Sequence, residues 1–462
     1  MNTTKIPLIA LGVFLVVAVL ALYPSWSNKA LLTTDGVHYL STAENIAHGR
    51  GVHNYTGQVE LAHPFGFSLI MAPLIRMGMD SQSAALTVTY LSLLVIGIMA
   101  FMLIRDGADV HDWRAIAGGA VVMLNPHLVL FSNWVLSEAL CAALVLTLLW
   151  LCLRRSTWQN VLLTTLTAIA LCFTRYPGIA IVLGFLVFVR SWRDRLIIGL
   201  PVVVISASAF FNTRGAHILH GTFWSNSRVL VHVPIGMMDV ATGAGLFLLA
   251  VYLASRERWP VIARMVGAAI VLTAAGLTWS VVGFGVDPTM DLRLYVPVAG
   301  MLAVVLFILV LRQMPNFMPY VLTGLIFSTV VTLAPLWPIR YKMLNDQGLA
   351  RSRTIQYVAA LPESVPVYST CPAAIWLYTG RTTKAITNTH YADKQAIRAA
   401  KDEPRETGGV MIWFLKFGHY GALPPDYYAD IMNHYGEGQV EGFKDDHALV
   451  VSVYPARPEV MP

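Results

Sequence analysis

Asp35 opens the stretch of sequence richest in chemically useful side chains. It reads Thr33-Thr34-Asp35-Gly36-Val37-His38-Tyr39-Leu40, then Ala43-Glu44-Asn45-Ile46-Ala47-His48-Gly49-Arg50-Gly51. After a short turn come Ala62-His63-Pro64-Phe65-Gly66-Phe67. Carboxylate and imidazole groups so close together are the material of proton transfer and of metal ligation. His38, His48, His53 and His63 share the segment with Asp35. Their spacing matches no compact ligand motif, so a divalent metal is the weaker use of these groups, and no cofactor is expected. Asp35 also suits a third task. The apolar spacing of Val37, Leu40, Ala43, Ile46 and Ala47 gives one helical face, and an aspartate before it can cap that helix.

A second set of polar residues lies in apolar surroundings. Glu138 sits inside the run from Val135 to Leu153, where a carboxylate is costly and marks a site or a buried ion pair. Arg175 lies where Thr174-Arg175-Tyr176-Pro177-Gly178 interrupts another run. It can bind an anion or pair with Glu138. Arg214, Arg228 and Arg293 lie near the ends of apolar segments. Each is either an anion ligand or a side chain snorkelling to lipid headgroups.

The elements that must position these groups are apolar helices. The 462-residue chain is 56% hydrophobic and only 13% charged, against about 25% charged in soluble domains. That excludes an ordinary water-soluble enzyme and points to a polytopic membrane protein. Apolar runs begin at Ile6–Leu22 and continue at 84–104, 115–131, 135–153, 161–173, 178–189, 196–211, 235–254, 261–284, 294–311 and 318–336. These make about 11 transmembrane segments. The breaks at Asn125-Pro126 and Tyr176-Pro177-Gly178 are tolerated at membrane depth only where the helix faces protein or a water-filled cavity. A second amphipathic helix is expected from Phe67 to Met77.

Alternate short connections carry Arg105 and Arg114; Arg154 and Arg155; Arg190, Arg193 and Arg195; Arg256, Arg258 and Arg264; and Arg312. By the positive-inside rule these face the cytoplasm. The net charge of +6 therefore orients the chain in its bilayer and is no sign of nucleic acid. The division expected is a membrane module over 1–337, with a first outer loop at 24–83, and an extracytoplasmic α/β domain over 338–462. In that tail Val365–Ser369, Gly409–Leu415 and Ala448–Val453 read as strands, and Pro372–Tyr378 as a short helix. Cys141, Cys152 and Cys172 lie in apolar runs and Cys371 stands alone in the tail, with no CxxC pattern. Nor is there a Walker loop, a GxGxxG after a strand or a GxSxG.

Taken in order, several stretches resemble the membrane-embedded glycosyltransferases of the GT-C superfamily. The resemblance is to the branch of protein O-mannosyltransferases and lipid A aminoarabinose transferases. It rests on Asp35-x-x-x-Tyr39 with Ala43 to Gly51, on Pro64-Phe65-Gly66-Phe67-Ser68-Leu69, on Asn125-Pro126 through Ser137-Glu138-Ala139, and on Thr174 to Gly178. Asp291-Leu292-Arg293-Leu294-Tyr295-Val296-Pro297 adds a weaker match. Many members carry an acidic residue directly after the first aspartate, where this chain has Gly36.

The resemblance implies transfer of a sugar from a polyprenyl-phosphate carrier to an outer-face acceptor, with inversion at the anomeric carbon. The acceptor would be a glycolipid, a polysaccharide or a protein hydroxyl. It implies Asp35 as general base. The substrate ligands would come from Glu138, Arg175, Arg214, Arg228, Arg293, His38, Tyr39, His53 and His63. It also implies residence in a bacterial inner membrane, with the site and the tail outside the cytoplasm. The other reading is a transporter or flippase of a lipid-linked or small polar substrate. Such a protein usually shows internal repeats and charges at mid-membrane depth. No repeat is visible in this sequence.

Overall fold

The structure is a computed structural model describing residues 6–28, 32–59, 63–175, 178–189, 191–213, 262–267, 270, 296–313, 347–385, 408–414, 440–444 and 448–453. The apolar runs expected at 235–254 and 318–336, and most of 261–284, lie outside the described residues. The chain divides into two compact units, Met1–Ala30 with Leu61–Pro338, and Leu31–Glu60 with Ile339–Pro462. Segment 31–60, within the first outer loop 24–83, clusters with the C-terminal unit.

The first unit is helical. Its described elements are α1 (Ile6–Asn28), α3 (Gly66–Arg76), α4 (Ser81–Ala108), α5 (Trp113–Met123), α6 (Pro126–Ser132), α7 (Glu138–Leu153), α8 (Trp158–Thr174), α9 (Gly178–Leu186), α10 (Trp192–Thr213) and the helix Val296–Gln313. Among the described residues α4 is the helix long and apolar enough by itself to cross a membrane. Its 28 residues span about 42 Å at 1.5 Å per residue, more than the ~30 Å hydrocarbon core. Asp80 starts it by accepting from Ser83 N–H at 3.0 Å, and Asp109 in the left-handed region (φ 55°) ends it.

Around α4 stand α1, α5, α7 and the Val296–Gln313 helix. Small residues allow the close approach. A Cβ on Gly97 would lie 2.9 Å from the Phe14 ring, and one on Gly119 would lie 2.8 Å from both Phe14 and the Gly97 carbonyl. Leu15, Val16 and Leu20 of α1, Leu162, Leu163 and Leu166 of α8, and Leu196, Leu200 and Val203 of α10 are exposed. Apolar faces of that extent suit hydrocarbon rather than water.

Two expected helices change at their polar interruptions. The run 115–131 is split into α5 and α6, because Asn125 stops α5 and its Oδ1 accepts from Leu128 N–H at 3.2 Å to start α6. The helix expected from Val135 begins at Glu138. Val135 sits at φ 55°, which a β-branched residue tolerates poorly and a helix cannot use.

Among the described residues the second unit holds α2 (Thr34–Ala47), the helices Gln347–Ala350, Arg353–Ala360 and Pro372–Thr379, and five strands. The strands are β1 (Val367–Ser369), β2 (Lys384–Ala385), β3 (Gly409–Phe414), β4 (Val440–Lys444) and β5 (Ala448–Val453), in the order β2-β1-β3-β5-β4. β1 runs parallel to β2 and β3, and β5 runs antiparallel to β3 and β4. The β1–helix–β2 crossover explains why Pro372–Thr379 lies on the sheet. Arg381 secures the approach to β1 by donating to the carbonyls of Leu361, Pro362 and Val365.

Candidate functional site

Asp35 occupies the first turn of α2 and is half-buried. The cap of that helix is not Asp35, as the sequence suggested, but Thr33. Thr33 has extended backbone angles and its Oγ1 accepts from Gly36 N–H at 3.1 Å. Thr33 and Asp35 are both capping types in tandem, and only the backbone decides between them. The Asp35 carboxylate lies in the first turn, where the helix dipole favours negative charge. His38 and Tyr39, three and four residues on, share its face.

Val37, Leu40 and Ala43 are buried as the apolar spacing required. His38 meets Tyr55, with ring centroids 4.5 Å apart and Tyr55 Oη 3.0 Å from His38 Nε2. Tyr39 is buried. His53 is placed differently. Its Nδ1 lies 2.8 Å from the Arg50 carbonyl, and its own carbonyl accepts from Asn45 Nδ2 at 2.7 Å. It serves the turn that returns the chain towards α2.

In the helical unit, Glu138 and Arg175 are partners. Arg175 Nη1 donates to Glu138 Oε1 at 2.7 Å. The Glu138 side chain is 1% exposed and that of Arg175 12%. Of the two roles open to Glu138, the structure supplies the buried ion pair. Among the described residues its second oxygen, Oε2, has no hydrogen-bond partner. The strained Val135 lies three residues upstream, in the tight segment that turns α6 into α7.

The segment carrying His63 is anchored to the end of α8 that carries Arg175. Phe65 and Phe173 rings lie 5.1 Å apart. A Cβ on Gly66 would lie 2.7 Å from the Phe173 carbonyl carbon and oxygen. That contact explains the glycine in Pro64-Phe65-Gly66. Arg214, Arg228 and Arg293 lie outside the described residues. Among the described residues no group of three or more His, Cys, Asp or Glu side chains is close enough to hold a metal ion.

A predominantly helical module with a short helix after its first apolar helix and an α/β tail has counterparts among solved structures. Two solved structures of ArnT from Cupriavidus metallidurans share it. The one bound to undecaprenyl phosphate superposes with a TM-score of 0.60 at 12% identity, covering 98% of both chains. The apo form gives 0.58 at 14% identity, again over 98% of both. At these identities the likeness is one of fold, and it runs the length of the chain. No protein-family profile matches the sequence. No curated protein matches it by sequence.

Proposed function

We propose that this protein is an inverting glycosyltransferase of the bacterial inner membrane. It moves a sugar from a polyprenyl-phosphate carrier to a hydroxyl acceptor on the outer face, with Asp35 as general base. The observation that carries this reading is the likeness over 98% of both chains to ArnT bound to undecaprenyl phosphate. The ordered motif set supports it. In the reaction the acceptor oxygen attacks the anomeric carbon as the bond to the carrier phosphate breaks. The electron pair leaves on the phosphate and the acceptor proton goes to Asp35. A phosphate leaving group needs no protonating acid, unlike the leaving alcohol in glycoside hydrolysis, so one carboxylate suffices. That fits Gly36 at the next position.

Charge builds on the departing phosphate, and arginine forks stabilise it. Arg175, Arg214, Arg228 and Arg293 are the proposed sources, with His38, Tyr39, His53 and His63 as contacts to sugar or phosphate. Glycolipid, polysaccharide and protein are the acceptor classes, and residues 338–462 form an extracytoplasmic domain.

A transporter or flippase is the alternative. Purified protein in detergent, given a panel of undecaprenyl-phosphate sugars and an envelope extract as acceptor, tests between them. Sugar transfer and release of undecaprenyl phosphate without a sealed membrane support the transferase. No turnover in detergent, with carrier movement in vesicles, supports the transporter.

A further inference from the structure

Helix α2 has a fixed start in Thr33, but a cap does not set the rotation of a helix about its axis. That rotation decides where Asp35 points. Two contacts within the C-terminal unit set it. The helix Pro372–Thr379 lies against α2. Tyr55, only 6% exposed, returns from the following loop to set its ring at a tilt against His38 and reach its Nε2 at 3.0 Å. His38 is one turn beyond Asp35 on the same face.

Tyr55 is itself held by the tail. Its carbonyl accepts from Thr383 N–H at 3.3 Å. Two residues on, Gly57 at φ 77° lies so close to the tail that a Cβ would sit 3.1 Å from Thr382 Cγ2. The loop is stiffened locally as well. Asn54 Oδ1 accepts from both the N–H and the Oγ1 of Thr56, and Asn45 ties His53 back to α2. A loop serving only as a connection between membrane helices would need none of these bonds.

We propose that Tyr55 is a positioning residue through which the C-terminal domain sets the geometry of Asp35. The proposal rests on the reading of Asp35 as the base. The domain is then a support for the reacting carboxylate, and the contacts run from Thr382 and Thr383 through Tyr55 to His38 and the Asp35 face.

The test uses full-length protein in detergent with the polyprenyl-phosphate sugar on which the parent turns over. Tyr55→Phe keeps the ring and its packing on His38 and removes only the hydroxyl. Its kcat should fall about fivefold, the worth of one hydrogen bond, with donor KM within about twofold of the parent. In an Asp35→Asn background the same change should have no further effect on the residual rate, because the group being positioned is gone. Gly57→Val, which strains the backbone and meets Thr382, should lower kcat in the same way. An unchanged kcat in Tyr55→Phe overturns the proposal, as does an equal loss in both backgrounds or a loss confined to KM. A fully active Asp35→Asn enzyme removes the base reading, and the proposal with it. An inactive Asp35→Asn enzyme beside a fully active Tyr55→Phe enzyme removes the proposal alone.

Discussion

Because Thr33 rather than Asp35 caps α2, the capping and catalytic roles of this segment can be separated by three substitutions. Thr33→Ala deletes the hydroxyl that accepts from Gly36 N–H and should cost about 1 kcal/mol of stability. It leaves the Asp35 carboxylate in place, so transfer should stay near the parental rate. Asp35→Asn keeps the size of the side chain and removes its capacity to accept a proton. Transfer should fall by about two orders of magnitude, the lower range for loss of a general base and about 2.7 kcal/mol in barrier. Loss of the first-turn charge should cost about 0.3–1 kcal/mol of stability. Asp35→Ala should match Asp35→Asn in transfer, because both remove the proton acceptor. The assay is release of polyprenyl phosphate from a polyprenyl-phosphate sugar, beside donor-binding isotherms and thermal unfolding of the same preparations. Donor affinity should hold across all three variants. An Asp35→Asn enzyme transferring at the parental rate would refute the base. A Thr33→Ala protein as stable as the parent would refute the cap assignment.

Three stability and reactivity outcomes and one topological outcome follow from the geometry. Glu138→Ala leaves Arg175 buried without its 2.7 Å partner and should destabilise by about 3–5 kcal/mol. The double variant Glu138→Ala/Arg175→Met should recover much of that in thermal unfolding. Gly66→Ala drives a Cβ into the Phe173 backbone and should cost about 1–3 kcal/mol, read as an earlier unfolding midpoint. Burial pushes the Cys371 thiol up to about 11. At pH 8 it should therefore stay protonated and resist maleimide in the folded protein, reacting once the protein is unfolded. In intact cells, a cysteine at Asp426 should label from outside and one at Ser191 should not. The reverse pattern would overturn the orientation.

The long apolar helices were legible because their signal is additive over many residues. The expected 84–104 is the core of α4, and 161–173 that of α8. Strand β5 matches its expected bounds, since Ala448 to Val453 is a compact β-favouring run. β2 and β4 escaped notice, one for its two residues and the other because Val440-Glu441-Gly442-Phe443-Lys444 carries two charges and a glycine. Helix Arg353–Ala360 was hidden behind the arginines that precede and begin it.

At the site, Asp35, His38 and Tyr39 were legible from their spacing on one helix. The Glu138–Arg175 contact could be posed but not decided, because both residues suit a phosphate as well as each other. What pattern reading could not reach was the bond from Tyr55 to Thr383. It joins residues more than three hundred positions apart, and neither carries a distinctive side-chain signal for it.

The Glu138–Arg175 pair has a physical consequence for the proposed chemistry. Burying two charges in an apolar bundle costs several kcal/mol, and a well-packed apolar pair of the same volume is often no less stable. The pair therefore does little for stability that leucine and methionine could not do. Its geometry is also incomplete, since Oε2 has no partner among the described residues, and the adjoining backbone is held at a costly angle at Val135. Strain of this kind persists where the surrounding structure fixes one arrangement. The end of α8, the Gly66 contact and the start of α7 fix the neighbourhood of Arg175 from three sides. A guanidinium held that firmly in a low-dielectric setting interacts with a developing phosphate charge more strongly than a mobile surface arginine, because it need not reorganise as the charge appears. If Arg175 is the phosphate ligand proposed above, Glu138 acts through it by holding its fork in one orientation. Glu138→Gln, which still accepts a hydrogen bond, should then keep far more transfer activity than Glu138→Ala.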